Sequence, residues 1–178
     1  MKKAKFLIIS AVIFSVLVCS VAASSPEVIK SCARNDRKIA LTFDDGPHPK
    51  NTGEILDILK EYNIKATFFV IGENVDLYPE LMEREIAEGH EIGNHTMTHK
   101  SLLKADAEEL EREVNSLSDE LFEKFGYKTK LLRPPGGQMS DVLAEFTKEN
   151  GYKLILWSVD TRDWAHTPVS EIKRNVLK

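Results

Sequence analysis

Between residues 38 and 178 the apolar positions follow two alternating rhythms. Short apolar runs at 38–43, 66–71, 91–93, 130–132 and 154–159, bounded by turn residues, predict buried strands. Helical stripes separate them. Residues 52–62 carry Ile55, Leu56, Ile58, Leu59 and Tyr62 on one face, and 79–88 closes at Gly89. Residues 105–125 form a longer amphipathic stretch closed by Gly126, 140–150 is followed by Gly151, and 169–177 begins a last helix. The acidic run Glu108, Glu109, Glu111 and Glu113 predicts a solvated helix face. Strands alternating with helices predict an α/β fold built on a mainly parallel sheet or a (β/α) barrel.

The first 23 residues follow another pattern. Lys2, Lys3 and Lys5 precede an apolar run from Phe6 to about Val18, and small residues follow at Ala22, Ala23 and Ser24. This is the layout of a bacterial secretory signal, and it predicts a secreted or cell-envelope protein. Left uncleaved, the same run is long enough to act as an N-terminal anchor, the one membrane contact the sequence predicts. Residues 24–37 are polar and read as a linker, which leaves 38–178 as one domain. The chain carries 24 Lys and Arg against 28 Asp and Glu, and without the three signal lysines the balance moves from −4 to −7. No basic excess remains to neutralise phosphates, so nucleic acid is not an expected partner. Cys19 lies in the signal and Cys32 has no second cysteine in the exported part, so no internal disulfide is expected.

Four polar clusters follow the predicted strands, where parallel α/β folds gather their chemistry. Thr42-Phe43-Asp44-Asp45-Gly46-Pro47 offers two adjacent carboxylates, of which one can bind a metal while the other stays free as a base. By itself it reads equally as an acidic turn. His95-Thr96-Met97-Thr98-His99 spaces two imidazoles by four residues, which a helix would bring to one face as metal ligands. With Asp45 they form a two-imidazole, one-carboxylate set suited to zinc or another divalent first-row ion such as cobalt. In Arg133-Pro134-Pro135-Gly136-Gly137, prolines fix the backbone, glycines allow close approach of a ligand, and Arg133 can hold a carboxylate in a bidentate fork. In Asp160-Thr161-Arg162-Asp163-Trp164, Asp163 is a candidate partner for Arg133 and Trp164 a candidate apolar wall for a sugar ring. His48, His90 and His166 read as structural or surface groups.

Taken in order, these clusters resemble the motifs of the polysaccharide deacetylases, the NodB-homology group of carbohydrate esterase family 4, over about residues 37–178. The resemblance implies a distorted (β/α) barrel and metal-dependent N-deacetylation of acetylated amino sugars in a peptidoglycan- or chitin-like polysaccharide. It implies Asp44 as general base, Asp45, His95 and His99 as metal ligands, and Arg133 as the group that orients Asp44. Asp163 and Trp164 would complete the groove wall, with Pro135 and Gly136 on the substrate side. Two departures stand out. Gly136 replaces the aromatic residue usual after the two prolines, keeping the backbone N–H that helps hold the oxyanion but no side chain. The family's last motif, a Leu-x-His whose histidine protonates the leaving amine, has no counterpart before Lys178. The expectation is a C-terminally incomplete domain and a weak catalyst.

Other readings stay open on sequence alone. They are a deacetylase-like module that binds glycan without turnover, a purely structural metal site, and O-deacetylation of acetyl-xylan. A serine esterase is not expected, because no Gly-x-Ser-x-Gly elbow exists.

Overall fold

The computed structural model describes residues 26–31 and 38–177. The signal pattern and Cys32 lie outside the described residues. Six parallel strands form one sheet: β1 (Val28–Ile29), β2 (Thr42–Gly46), β3 (Thr67–Val70), β4 (Glu91–Asn94), β5 (Leu131–Leu132) and β6 (Lys153–Ile155), in the order β1-β6-β5-β4-β3-β2. The helices are α1 (Asn51–Glu61), α2 (Gly72–Leu77), α3 (Pro79–Ala87), α4 (Ala107–Leu110), α5 (Ser116–Phe125), α6 (Asp141–Glu149) and α7 (Val169–Val176). Among the described residues no helix is long and apolar enough to cross a membrane.

Local sequence explains most boundaries. Ser140 caps α6 by accepting from Leu143 N–H at 3.2 Å, and Asp106 caps α4 by accepting from Glu109 N–H at 2.9 Å. Gly126 ends α5 at φ 64, a left-handed turn that glycine adopts without steric cost. Helices pack on the outer face of the sheet in two clusters. Phe68, Val70 and Ile92 meet Leu56, Leu59, Met82, Leu117 and Leu121, while Leu132 and Leu154 meet Leu110, Val114, Leu143 and Phe146. Burying each such side chain contributes roughly 1.5–3 kcal/mol.

Phe69 points the other way, into the sheet's concave face, and its register partner is Gly93. A Cβ on Gly93 would come within 2.4 Å of the Phe69 ring, so only glycine leaves room for it. A flat sheet would hold β5 and β2 about 14 Å apart, three strand spacings. Arg133, the residue after β5, nevertheless bonds Thr42 and Asp44 on β2. The sheet is therefore strongly curled, in keeping with the distorted barrel expected.

Several expectations need correction. The first strand begins at Thr42 and takes in Asp44 and Asp45: residues 38–40 stay exposed, and Leu41 joins only through its carbonyl, which accepts from Thr67 N–H at 3.0 Å. Part of the linker is a strand, since Val28 and Ile29 pair with Leu154 and Ile155. The strand predicted at 154–159 ends at Ile155 because the carbonyls of Ile155 and Leu156 turn to Arg133. The sequence pattern did not predict α2. The helix at 105–125 is interrupted by a π-helical turn at Glu111–Asn115, and Glu113 is buried instead of lying on a solvated face.

Glu85 in α3 is wholly buried, and among the described residues neither carboxylate oxygen has a hydrogen-bond partner. Burial pushes its pKa up to about 8, from the ordinary 4.5. The folded state therefore keeps a proton that the unfolded chain releases. The resulting stabilisation is complete below about pH 4.5 and is lost as pH rises through about 8. Chemical denaturation between pH 5 and 9 should show a decline on the order of a few kcal/mol, which Glu85→Gln flattens. Parallel pH profiles for the two proteins would contradict this.

Candidate active site

The strand ends bring the first three polar clusters together. A bulge in the β2–β3 pairing falls at Asp45, between Asp44, opposite Phe69, and Gly46, opposite Val70. Adjacent residues of a regular strand face opposite sides of the sheet, and the bulge re-aims the extra residue. Asp45 sits at φ 66, and Asn74 Nδ2 holds its carbonyl at 2.9 Å. The two carboxylates consequently part. Asp44 turns to Arg133, and Asp45 turns to the histidines.

Asp45 Oδ1 lies 3.3 Å from His95 Nε2 and 3.3 Å from His99 Nε2. Ligand atoms at about 2.0–2.1 Å from a tetrahedral zinc stand about 3.3–3.4 Å from one another, which matches both distances. His95 is buried, and its Nδ1 meets the Arg133 carbonyl at 2.7 Å. A carbonyl only accepts, so Nδ1 carries the proton and, in the neutral ring, Nε2 presents its lone pair to the cluster. Asp45 and His99 remain open to solvent, with side chains 64% and 44% exposed. A hydrogen bond from His95 holds the Asp45 carboxyl below the usual carboxylate range, against partial burial and with help from the charges of His95 and His99. That hydrogen bond requires a second proton on His95, whereas a divalent cation would meet all three lone pairs at once. The donor set fits a metal.

The expected one-face helix at 95–99 does not form. His95 follows β4 directly, and Thr96 and His99 take left-handed backbone angles, φ 74 and 58, which turn the two rings to 5.0 Å between centroids. Strained non-glycine residues of this kind concentrate at functional sites.

Arg133 is 2% exposed. Its Nη1 donates to Asp44 Oδ1 at 2.6 Å and Thr42 Oγ1 at 2.9 Å, Nε to the Ile155 carbonyl at 3.1 Å, and Nη2 to the Leu156 carbonyl at 3.3 Å. The guanidinium lies over the Phe69 ring, 4.0 Å from its centroid. The expected bidentate fork is therefore a single bond, because the guanidinium also serves the Thr42 hydroxyl and the Ile155 and Leu156 carbonyls. Asp163 does not pair with Arg133. It is exposed and accepts from Thr161 Oγ1 at 2.8 Å. Trp164 is 73% exposed. Trp157 stands at the site instead, its ring 5.7 Å from the Arg133 guanidinium and against Gly137. It was hidden inside a predicted strand. Pro135 is buried, and Gly136 turns at φ 66 in the 3-10 turn Pro135–Gly137. His48 is committed to the first turn of α1, where its Nδ1 accepts from Lys50 and Asn51 N–H, and His90 is buried.

By fold and site this is an α/β protein with paired carboxylates and imidazoles at the carboxyl edge of a curled parallel sheet. The polysaccharide deacetylase family model matches residues 32–155, and the chain belongs to that family. It is 44% identical over 146 residues to a peptidoglycan-N-acetylglucosamine deacetylase of Bacillus cereus, covering 81% of this chain and 68% of that one. A chitooligosaccharide deacetylase of Rhizobium leguminosarum bv. trifolii is 42% identical over 144 residues, covering 80% and 66%. The chain spans from 68% down to 52% and 32% of the length of the curated peptidoglycan-N-acetylglucosamine deacetylases it matches. The crystal structure of the Bc1960 peptidoglycan N-acetylglucosamine deacetylase, in complex with a naphthalenyl N-oxidanyl-benzamide, superposes with a TM-score of 0.81 at 39% identity, covering 84% and 70%.

Removing Arg133 would strip the carbonyls of Ile155 and Leu156, Thr42 and Asp44 of a shared donor. Arg133→Ala should lower stability by roughly 3–5 kcal/mol in urea titrations. Asp44→Asn keeps an acceptor for Nη1 and should cost distinctly less. Equal losses would contradict Arg133 as the wider tether.

Proposed function

We propose that this chain removes acetyl groups from N-acetylglucosamine residues of a cell-wall or chitin-like polysaccharide, with one divalent ion, zinc the best match, held by Asp45, His95 and His99. The observation that carries this reading is the contrast between two neighbouring carboxylates, Asp45 facing two imidazoles and Asp44 facing a buried guanidinium. The names of the two curated relatives support the same substrate class. The export pattern of residues 1–23 supports action outside the cytoplasm.

An acetamide resists water because its carbonyl is poorly electrophilic and its amine leaves badly. When bound, the ion supplies Lewis-acid polarisation and acidifies water. Arg133 engages Asp44 Oδ1, so Oδ2 is the atom that takes the proton of the attacking water; as the tetrahedral species collapses and the C–N bond breaks, that proton passes through water to the amine, which leaves neutral. The Gly136 N–H donates to the oxyanion as the carbonyl becomes tetrahedral. Asp45 and His95 stay fixed through this, Asp45 by Asn74 and His95 by the Arg133 carbonyl. The exposed indoles of Trp157 and Trp164 give the sugar rings apolar surface to lie on.

Acetate release from N-acetylglucosamine oligomers and from peptidoglycan tests the reading. Release should stop with a chelator and return with zinc. Asp44→Asn should keep the metal and lose ~10²–10⁴-fold in turnover, whereas Asp45→Asn and His95→Ala should lose metal affinity. Release that survives chelation would contradict metal dependence. Sugar binding without acetate from the metal-loaded chain would favour a binding module instead.

A further inference from the structure

Glu113 belongs to the acidic run expected on the surface, yet it is 5% exposed. Its Oε2 accepts from Thr98 N–H at 2.9 Å, and its Oε1 accepts from the Thr98 hydroxyl at 2.7 Å. Its carbonyl accepts from Met97 N–H at 2.8 Å. One residue on, the Val114 carbonyl accepts from Asn94 Nδ2 at 2.7 Å, and Asn94 Oδ1 in turn accepts from Thr96 N–H at 2.8 Å. The backbone N–H groups of residues 96, 97 and 98 are thus all tied to Glu113 and Val114, directly or through Asn94. These two residues sit in the π-helical turn Glu111–Asn115. A regular α-helix directs its carbonyls to N–H groups four residues on, and a π turn breaks that register. Here Met97 N–H, between the two histidines, takes up the Glu113 carbonyl, and Asn94 Nδ2, at the end of β4, takes up that of Val114.

We propose that Glu113 is a positioning residue for the metal-binding loop: by gripping Thr98 at both its N–H and its hydroxyl, its carboxylate sets where His99 Nε2 stands relative to His95 and Asp45. The proposal rests on the metal reading of the site. It explains how His99, largely open to solvent, keeps a left-handed backbone and 3.3 Å to Asp45. It also explains the choice of residue. Both Thr98 groups point donors at position 113, and a carboxylate offers two acceptor oxygens where an amide offers one.

The test is calorimetric titration of the metal-free 178-residue chain with zinc chloride and with cobalt chloride, together with the visible absorption spectrum of the cobalt form. Glu113→Ala should weaken zinc binding by ~10–100-fold and change the intensity of the cobalt d–d bands. Glu113→Gln, which keeps one acceptor for Thr98 N–H, should fall between wild type and Glu113→Ala. Thr98→Val removes only the hydroxyl bond. It leaves the buried Glu113 Oε1 without its donor, so the melting temperature of the metal-free protein should fall modestly, and zinc binding, measured well below that transition, should weaken by a smaller factor than in Glu113→Ala. If Glu113→Ala fails to fold, Thr98→Val decides. Wild-type affinity and an unaltered cobalt spectrum in the variants that fold would overturn the proposal. Should the wild-type chain itself bind neither ion, the metal reading fails first and the proposal falls with it.

Discussion

The buried guanidinium of Arg133 is the constraint on which the rest of the site depends. It joins three separate strands, bonding the side chains of Thr42 and Asp44 on β2 and the carbonyls at the end of β6 while resting on Phe69 of β3. A buried charge is costly unless its donors are satisfied, and here the strand ends satisfy them. The arrangement requires a curled sheet, and it places the guanidinium on an inward-facing Phe69 that Gly93 leaves room for. The Arg133 backbone carbonyl also fixes His95. One residue therefore links the candidate base, through its side chain, to a candidate metal ligand, through its main chain.

A second constraint separates the two carboxylates. Asp44 and Asp45 are neighbours in sequence, but the bulge at Asp45 gives them different surroundings. Two carboxylates in one environment would compete for the same cation. Divided, one faces two imidazoles and the other a guanidinium, so one segment offers both a candidate ligand and a candidate base. The strain of the positive φ at Asp45, Thr96 and His99 is borne by a hydrogen bond from Asn74 to Asp45 and by bonds from Met97 and Thr98 to the π-helical turn.

Much of this was legible in the sequence. The alternation of apolar runs and helical stripes gave the α/β class, and Asp45, His95 and His99 stood out because carboxylate and imidazole types at strand ends carry a chemical signature. The hidden features had physical causes. Val28–Ile29 is too short a strand to carry a period. Trp157 looked like strand interior because the diversion of carbonyls to Arg133, which ends β6 early, depends on a residue more than twenty positions away. Asp163 and Asp44 were equally plausible partners for Arg133 by residue type, and only the curl of the sheet decides between them. Glu113 looked like surface because it belongs to an acidic run, although three residues after Leu110 and four before Leu117 it falls beside the buried stripe.

The central claim is that Asp45, His95 and His99 hold one divalent ion while Asp44 stays with Arg133. Anomalous diffraction at the zinc edge, from crystals of the zinc-loaded chain, tests it most directly. The expected result is a single peak bounded by Asp45, His95 and His99, with the Asp44–Arg133 bond intact. A peak ligated by Asp44, or no ordered zinc between the two histidines, would contradict it.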